Sequence, residues 1–77
     1  MAVNKLPEEV QDALDDSFDT ILELVPDDIE VSFADVRSWI YSSAEAKLVI
    51  KPLDLARANR TRLVGLLAYR IVEELQW

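Results

Sequence analysis

The chain predicts an all-α fold, a small domain of three helices, on three observations. Apolar residues recur at helical spacing, i, i+3, i+4 and i+7, over most of the length. Glycine occurs once and proline three times in 77 residues, so few positions interrupt a helix. Hydrophobic residues make up 51%, enough to build a core and too many for a disordered segment. The length allows one domain, residues 1–77.

The first helix is expected over residues 7–25. Pro7 suits a first helical position, where its missing N–H would have no partner anyway. Glu8 and Glu9 follow, placing carboxylates at the positive end of the helix dipole. Val10, Leu14, Ser17, Phe18, Ile21, Leu24 and Val25 share one face at about 100° per residue. Glu8, Glu9, Asp12, Asp15, Asp16, Asp19 and Glu23 share the opposite one. Pro26 and the Asp27-Asp28 pair end the helix.

Ile29 to Val31 reads as an extended connector or a very short strand. Ser32 reads as an N-cap with Asp35 three residues on, a capping box with Asp in place of Glu. The second helix is expected over 33–45, with Phe33, Val36, Ile40 and Ala44 as its core stripe and Trp39 at the edge. Residues 47–51, Lys-Leu-Val-Ile-Lys, are apolar and β-branched between lysines. They read either as a strand pairing with 29–31 or as an extension of the second helix. Pro52 punctuates them, and Asp54 is a plausible N-cap for a third helix over 53–76. From Leu63 to Val72 only Arg70 is charged, the pattern of a central helix. Gly65 costs that helix about 1 kcal/mol relative to alanine, which close approach by another helix would explain and so would chance.

Fifteen acids against eight bases give a net charge of −7 and a pI near 4.3. The distribution is uneven: residues 1–46 hold twelve acids and two bases, and residues 47–77 hold three acids and six bases. With no cysteine there is no disulfide, thiolate ligand or cysteine nucleophile, and with no histidine the commonest general base and metal ligand are missing. No glycine-rich phosphate loop or nucleophile elbow occurs, and Ser17 and Thr20 have no base in reach, so no catalytic residue and no cofactor are expected and the chain reads as a non-enzyme. The start of the chain lacks the apolar run of a signal peptide and no stretch spans a bilayer, so a cytoplasmic protein without membrane contact is expected.

The seven carboxylates of the first helix carry the leading functional reading. A single-sign face raises the local potential and speeds association with a basic surface, whereas a merely solubilising face would mix both signs. That reading makes the chain an adaptor or inhibitor, its partner-binding surface being Glu8, Glu9, Asp12, Asp15, Asp16, Asp19 and Glu23 with Asp35 and Trp39. The basic cluster Lys47, Lys51, Arg57, Arg60 and Arg62 is expected to pair with the acidic half, within one chain or across a dimer, or to form ordinary solvated ends. The net charge and the lack of interleaved aromatics argue against direct nucleic-acid binding. An alternative is a structural homodimer whose oligomer face is Leu63, Leu66, Leu67, Tyr69 and Trp77. A further one is a DNA mimic whose carboxylates occupy a nucleic-acid-binding protein.

Three stretches resemble a known family. Glu9-Val-Gln-Asp-Ala-Leu-Asp-Asp-Ser-Phe18, Val31-Ser-Phe-Ala-Asp-Val-Arg-Ser-Trp-Ile40 and Asn59 through Glu74 are similar, in order, to the helices of the IscX-type adaptors of bacterial iron–sulfur cluster assembly. They cover roughly half the chain. The family's loop after its Trp-Ile helix is acidic, whereas residues 46–62 here are basic. The resemblance implies a winged-helix-like helical fold and docking of an acidic surface on a cysteine desulfurase. It also implies weak iron binding by exposed carboxylates, with Glu9, Asp12, Asp16 and Asp35 in that surface.

Overall fold

The computed structural model describes residues 7–76; Trp77, invoked above, lies outside them. Within that range the chain forms four α-helices: α1 (Glu8–Leu24), α2 (Phe33–Ser42), α3 (Ala44–Ile50) and α4 (Arg57–Leu75), with a 3-10 turn at Lys51–Leu53. The all-α class is as expected. The strand pair is not formed among the described residues: 29–31 is an irregular connector and 47–50 is helical. The winged-helix detail goes with it, since a wing needs strands.

The difference turns on Ser43. Its backbone is extended (φ −75°, ψ 124°), so α2 cannot run on through it. Its N–H donates to the Trp39 carbonyl at 2.8 Å, closing α2, while its Oγ accepts from the Ala46 N–H at 3.2 Å, opening α3. One serine therefore caps two helices and turns the chain between them. Once α3 begins, Lys47 and Lys51 stand one helical turn apart, and an alternating strand face is no longer available. Ser32 is the N-cap as expected, its Oγ accepting from the Asp35 N–H at 3.2 Å, but the reciprocal half of the box is replaced: the Asp35 carboxylate accepts from the Ser32 hydroxyl at 2.7 Å and the Ser32 N–H donates to the Glu30 carbonyl at 3.0 Å.

Asp54 is not the N-cap of the last helix. It takes a left-handed conformation (φ 52°, ψ 45°) and ends the 3-10 turn, with its N–H directed at the Lys51 carbonyl. Leu55 follows and is buried, and Ala56 occupies the cap of α4 without a side-chain hydrogen bond. Burying Leu55 draws the chain inward before α4 can start, which moves the helix beginning to Arg57.

The long helices α1 and α4 lie side by side and parallel. Asn59 Nδ2 donates to Glu9 Oε1 at 2.8 Å near their starts, and Arg70 stands by Asp15 and Phe18 farther along. The other side of α4 packs on α2, which runs antiparallel to it, and α3 packs across α1 and α2. The core is continuous through all four helices, with Val10, Leu14 and Ile21 meeting Val36, Ile40, Leu63, Leu67 and Ile71. Ser17 is its only buried polar side chain among the described residues, and its hydroxyl donates back to the Ala13 carbonyl at 2.6 Å.

Two packing expectations change, and one open alternative is decided. Phe33 and Ala44 lie outside the core; Phe33 is 42% exposed with the Arg37 guanidinium 5.2 Å from its ring centre. The apolar run of α4 is covered by α1 and α2, so it needs no second copy to bury it. Close approach does not explain Gly65, because a β-carbon there would meet no atom within 4 Å.

Candidate functional site

Two surfaces differ sharply in charge. The first is the outer face of α1. Glu8, Glu9, Asp12, Asp15, Asp16, Asp19 and Glu23 are all exposed, as the periodicity requires. At 100° per residue they occupy an arc of about 120°. Among the described residues one cation meets this row: Arg70 Nη1 lies 3.9 Å from Asp15 Oδ1, with both side chains largely in solvent. Such a pair contributes about 0–1 kcal/mol. The same guanidinium lies over the Phe18 ring at 4.5 Å, covering the half-buried aromatic. Asp35 and Trp39 do not join the row. They sit on α2, which packs on α4 and α3, where Asp35 serves the Ser32 cap and Trp39 is half-buried against the core. No three acidic side chains among the described residues converge as a metal site would need.

The second surface is a cleft of about 410 Å³ where the end of α2, α3 and the first turns of α4 meet. α3 packs on α1 and α2, which leaves a gap between it and α4. The buried side chains Ile40, Ile50 and Val64 form the floor. The exposed side chains Tyr41, Lys47, Lys51 and Arg60 form the rim. Arg60 is held there, its Nη2 donating to the Leu55 carbonyl at 3.2 Å. Among the described residues no carboxylate lies within ion-pair distance of these three cations, so pairing of the basic cluster with the acidic half within one chain is not formed there.

The cleft was hidden in the sequence because neither reading of 47–51, a strand or a continuation of the second helix, turns the chain at Ser43 and brings Lys47 and Lys51 to the same cleft as Arg60. The local trace of the corner is Ser42-Ser43, where one helix stops and the next is capped, but the same pair also fits an exposed turn of one long helix. A second groove of about 410 Å³ lies at the far end of α4, bordered by Glu23, Asp27 and Glu74 together with Leu22, Val25 and Leu75. Of the residues assigned to an oligomer face, Leu63 and Leu67 are fully buried inside the chain, Leu66 is half-buried, and Tyr69 alone is well exposed at 58%. Trp77 is outside the described residues.

No family model, curated protein or solved structure matches the chain. No helix among the described residues is long and apolar enough to cross a membrane.

Proposed function

We propose that the protein is a non-enzymatic adaptor or inhibitor that docks the acidic face of α1 onto a basic protein surface. One observation supports it above the others: seven exposed carboxylates share one arc, and among the described residues a single distant arginine offsets them. Like charges at i,i+4 repel by about 0.2–0.5 kcal/mol per pair, so the row carries a cost that a mixed face would avoid. The field of such a face steers encounter with a basic partner and weakens as salt shortens the Debye length from about 10 Å at 0.1 M to about 3 Å at 1 M. An iron–sulfur assembly partner and a nucleic-acid-binding partner are two versions of this reading, and both use the same carboxylates. The homodimer reading has less support, because the leucines it relied on are already covered within one chain.

The test compares the protein with the variant Asp12→Lys, Asp15→Lys, Asp19→Lys as immobilised baits for source-cell lysate at low salt, after circular dichroism confirms equal helicity. The expected result is one dominant basic protein held by the native bait, absent from the variant and released by salt. Identical retained sets from the two columns would overturn the proposal.

A further inference from the structure

We propose that the cleft between α2, α3 and α4 binds a small amphiphilic anion, of which a medium-chain monocarboxylate is the simplest form. This site is separate from the acidic face of α1 and does not depend on its role. Three properties of the cleft point to that chemistry. Its volume, about 410 Å³, falls in the lower part of the range for small-molecule sites and admits a short apolar body, but not a helix or a folded surface. Its floor is aliphatic, with Ile40, Ile50 and Val64 offering no polar atom from their side chains to an entering ligand. Its rim carries three cations and no carboxylate, in a chain whose net charge is −7. The local sign is therefore opposite to the global one, and the ligand it suits joins an apolar tail to one negative head.

Arg60 is the residue best placed to hold that head. Its hydrogen bond to the Leu55 carbonyl uses one of five guanidinium donors and fixes the side chain, leaving the planar fork for a carboxylate. A second, independent feature lies in α4 itself. The helix begins with Arg57 and Arg60, has no acid in its first turn and no side-chain cap, and carries Glu73 and Glu74 near its end. This order is the reverse of what the helix dipole favours. An anion seated by Arg60 relieves the unfavourable positive end.

The experiment is a titration of uniformly labelled full-length protein with octanoate at low salt, followed by amide chemical shifts. 1-Octanol, acetate and octylamine are titrated in parallel. Octanoate is expected to saturate one site, with shifts centred on Ile40, Tyr41, Lys47, Ile50 and Val64. Octanol lacks the charge and acetate lacks the tail, so each is expected to bind at least about tenfold more weakly, and octylamine to leave those residues unshifted. Arg60→Gln is expected to weaken octanoate about tenfold, and Lys47→Gln with Lys51→Gln to weaken it too. All three are exposed, so the fold survives their replacement. Equal affinity for octanol, shifts scattered outside the cleft, unchanged affinity in both variants, or no saturation in the millimolar range would each overturn the proposal. So would shifts of the same residues on raising protein concentration alone, which would make a second copy of the chain the occupant.

Discussion

The outer face of α1 and the cleft beside α4 are opposite in charge and also in how they relate to the fold. The α1 carboxylates touch almost nothing. One hydrogen bond, Glu9 to Asn59, and one long ion pair, Asp15 to Arg70, connect them to the rest of the described chain. The cleft is built the other way. Ile40, Ile50 and Val64 are its floor and are core residues at the same time. A partner surface on α1 can thus change by substitution without disturbing the fold. The cleft's cations can change equally freely, but its shape cannot.

Four substitutions break or sharpen that contrast, in order of expected effect. Ile40→Ala removes floor and core together and should cost about 2–5 kcal/mol in urea unfolding. A cost below about 1 kcal/mol would mean that the floor is not packed as described. Ser43→Ala removes the cap that separates α3 from α2. It should cost about 0.5–2 kcal/mol and loosen the cleft, with amide exchange rising more in α3 than in α1. Gly65→Ala lies on neither surface and meets empty space, so it should stabilise the protein by about 1 kcal/mol, seen as a raised denaturation midpoint. Arg57→Glu puts an acid in the first turn of α4 without touching the cleft. A gain of about 0.3–1 kcal/mol at low salt, shrinking at high salt, is expected if the reversed charge order is a real cost.

Much of the fold was legible from periodicity alone. The α1 stripe and its acidic counter-face, the Ser32 cap and the apolar character of α4 were all readable, because each is a local pattern. The corner at Ser43 was not, because a serine after a serine is compatible with an exposed turn of one long helix. What decides for the corner is where α3 can bury Ala46 and Ile50, and that depends on partners distant in sequence. The start of α4 was misplaced for a similar reason: Asp54 is a good cap locally, but Leu55 reaches the core only if the helix waits until Arg57. The acidic face was visible in the sequence since it needs one helix only. The cleft was not visible, since it needs three.

The parallel arrangement of α1 and α4 has a consequence for how the chain is made. α1 leaves the ribosome well before its main neighbour α4, with about fifty residues between Glu9 and its contact Asn59. Until α4 emerges, α1 has α3 as its main packing partner, and much of the stripe of Val10, Leu14 and Ile21 stays open. A nascent helix with an open apolar side is prone to stick to its neighbours. The carboxylates on its other side keep that half-made surface charged and hydrated until α4 arrives to cover it.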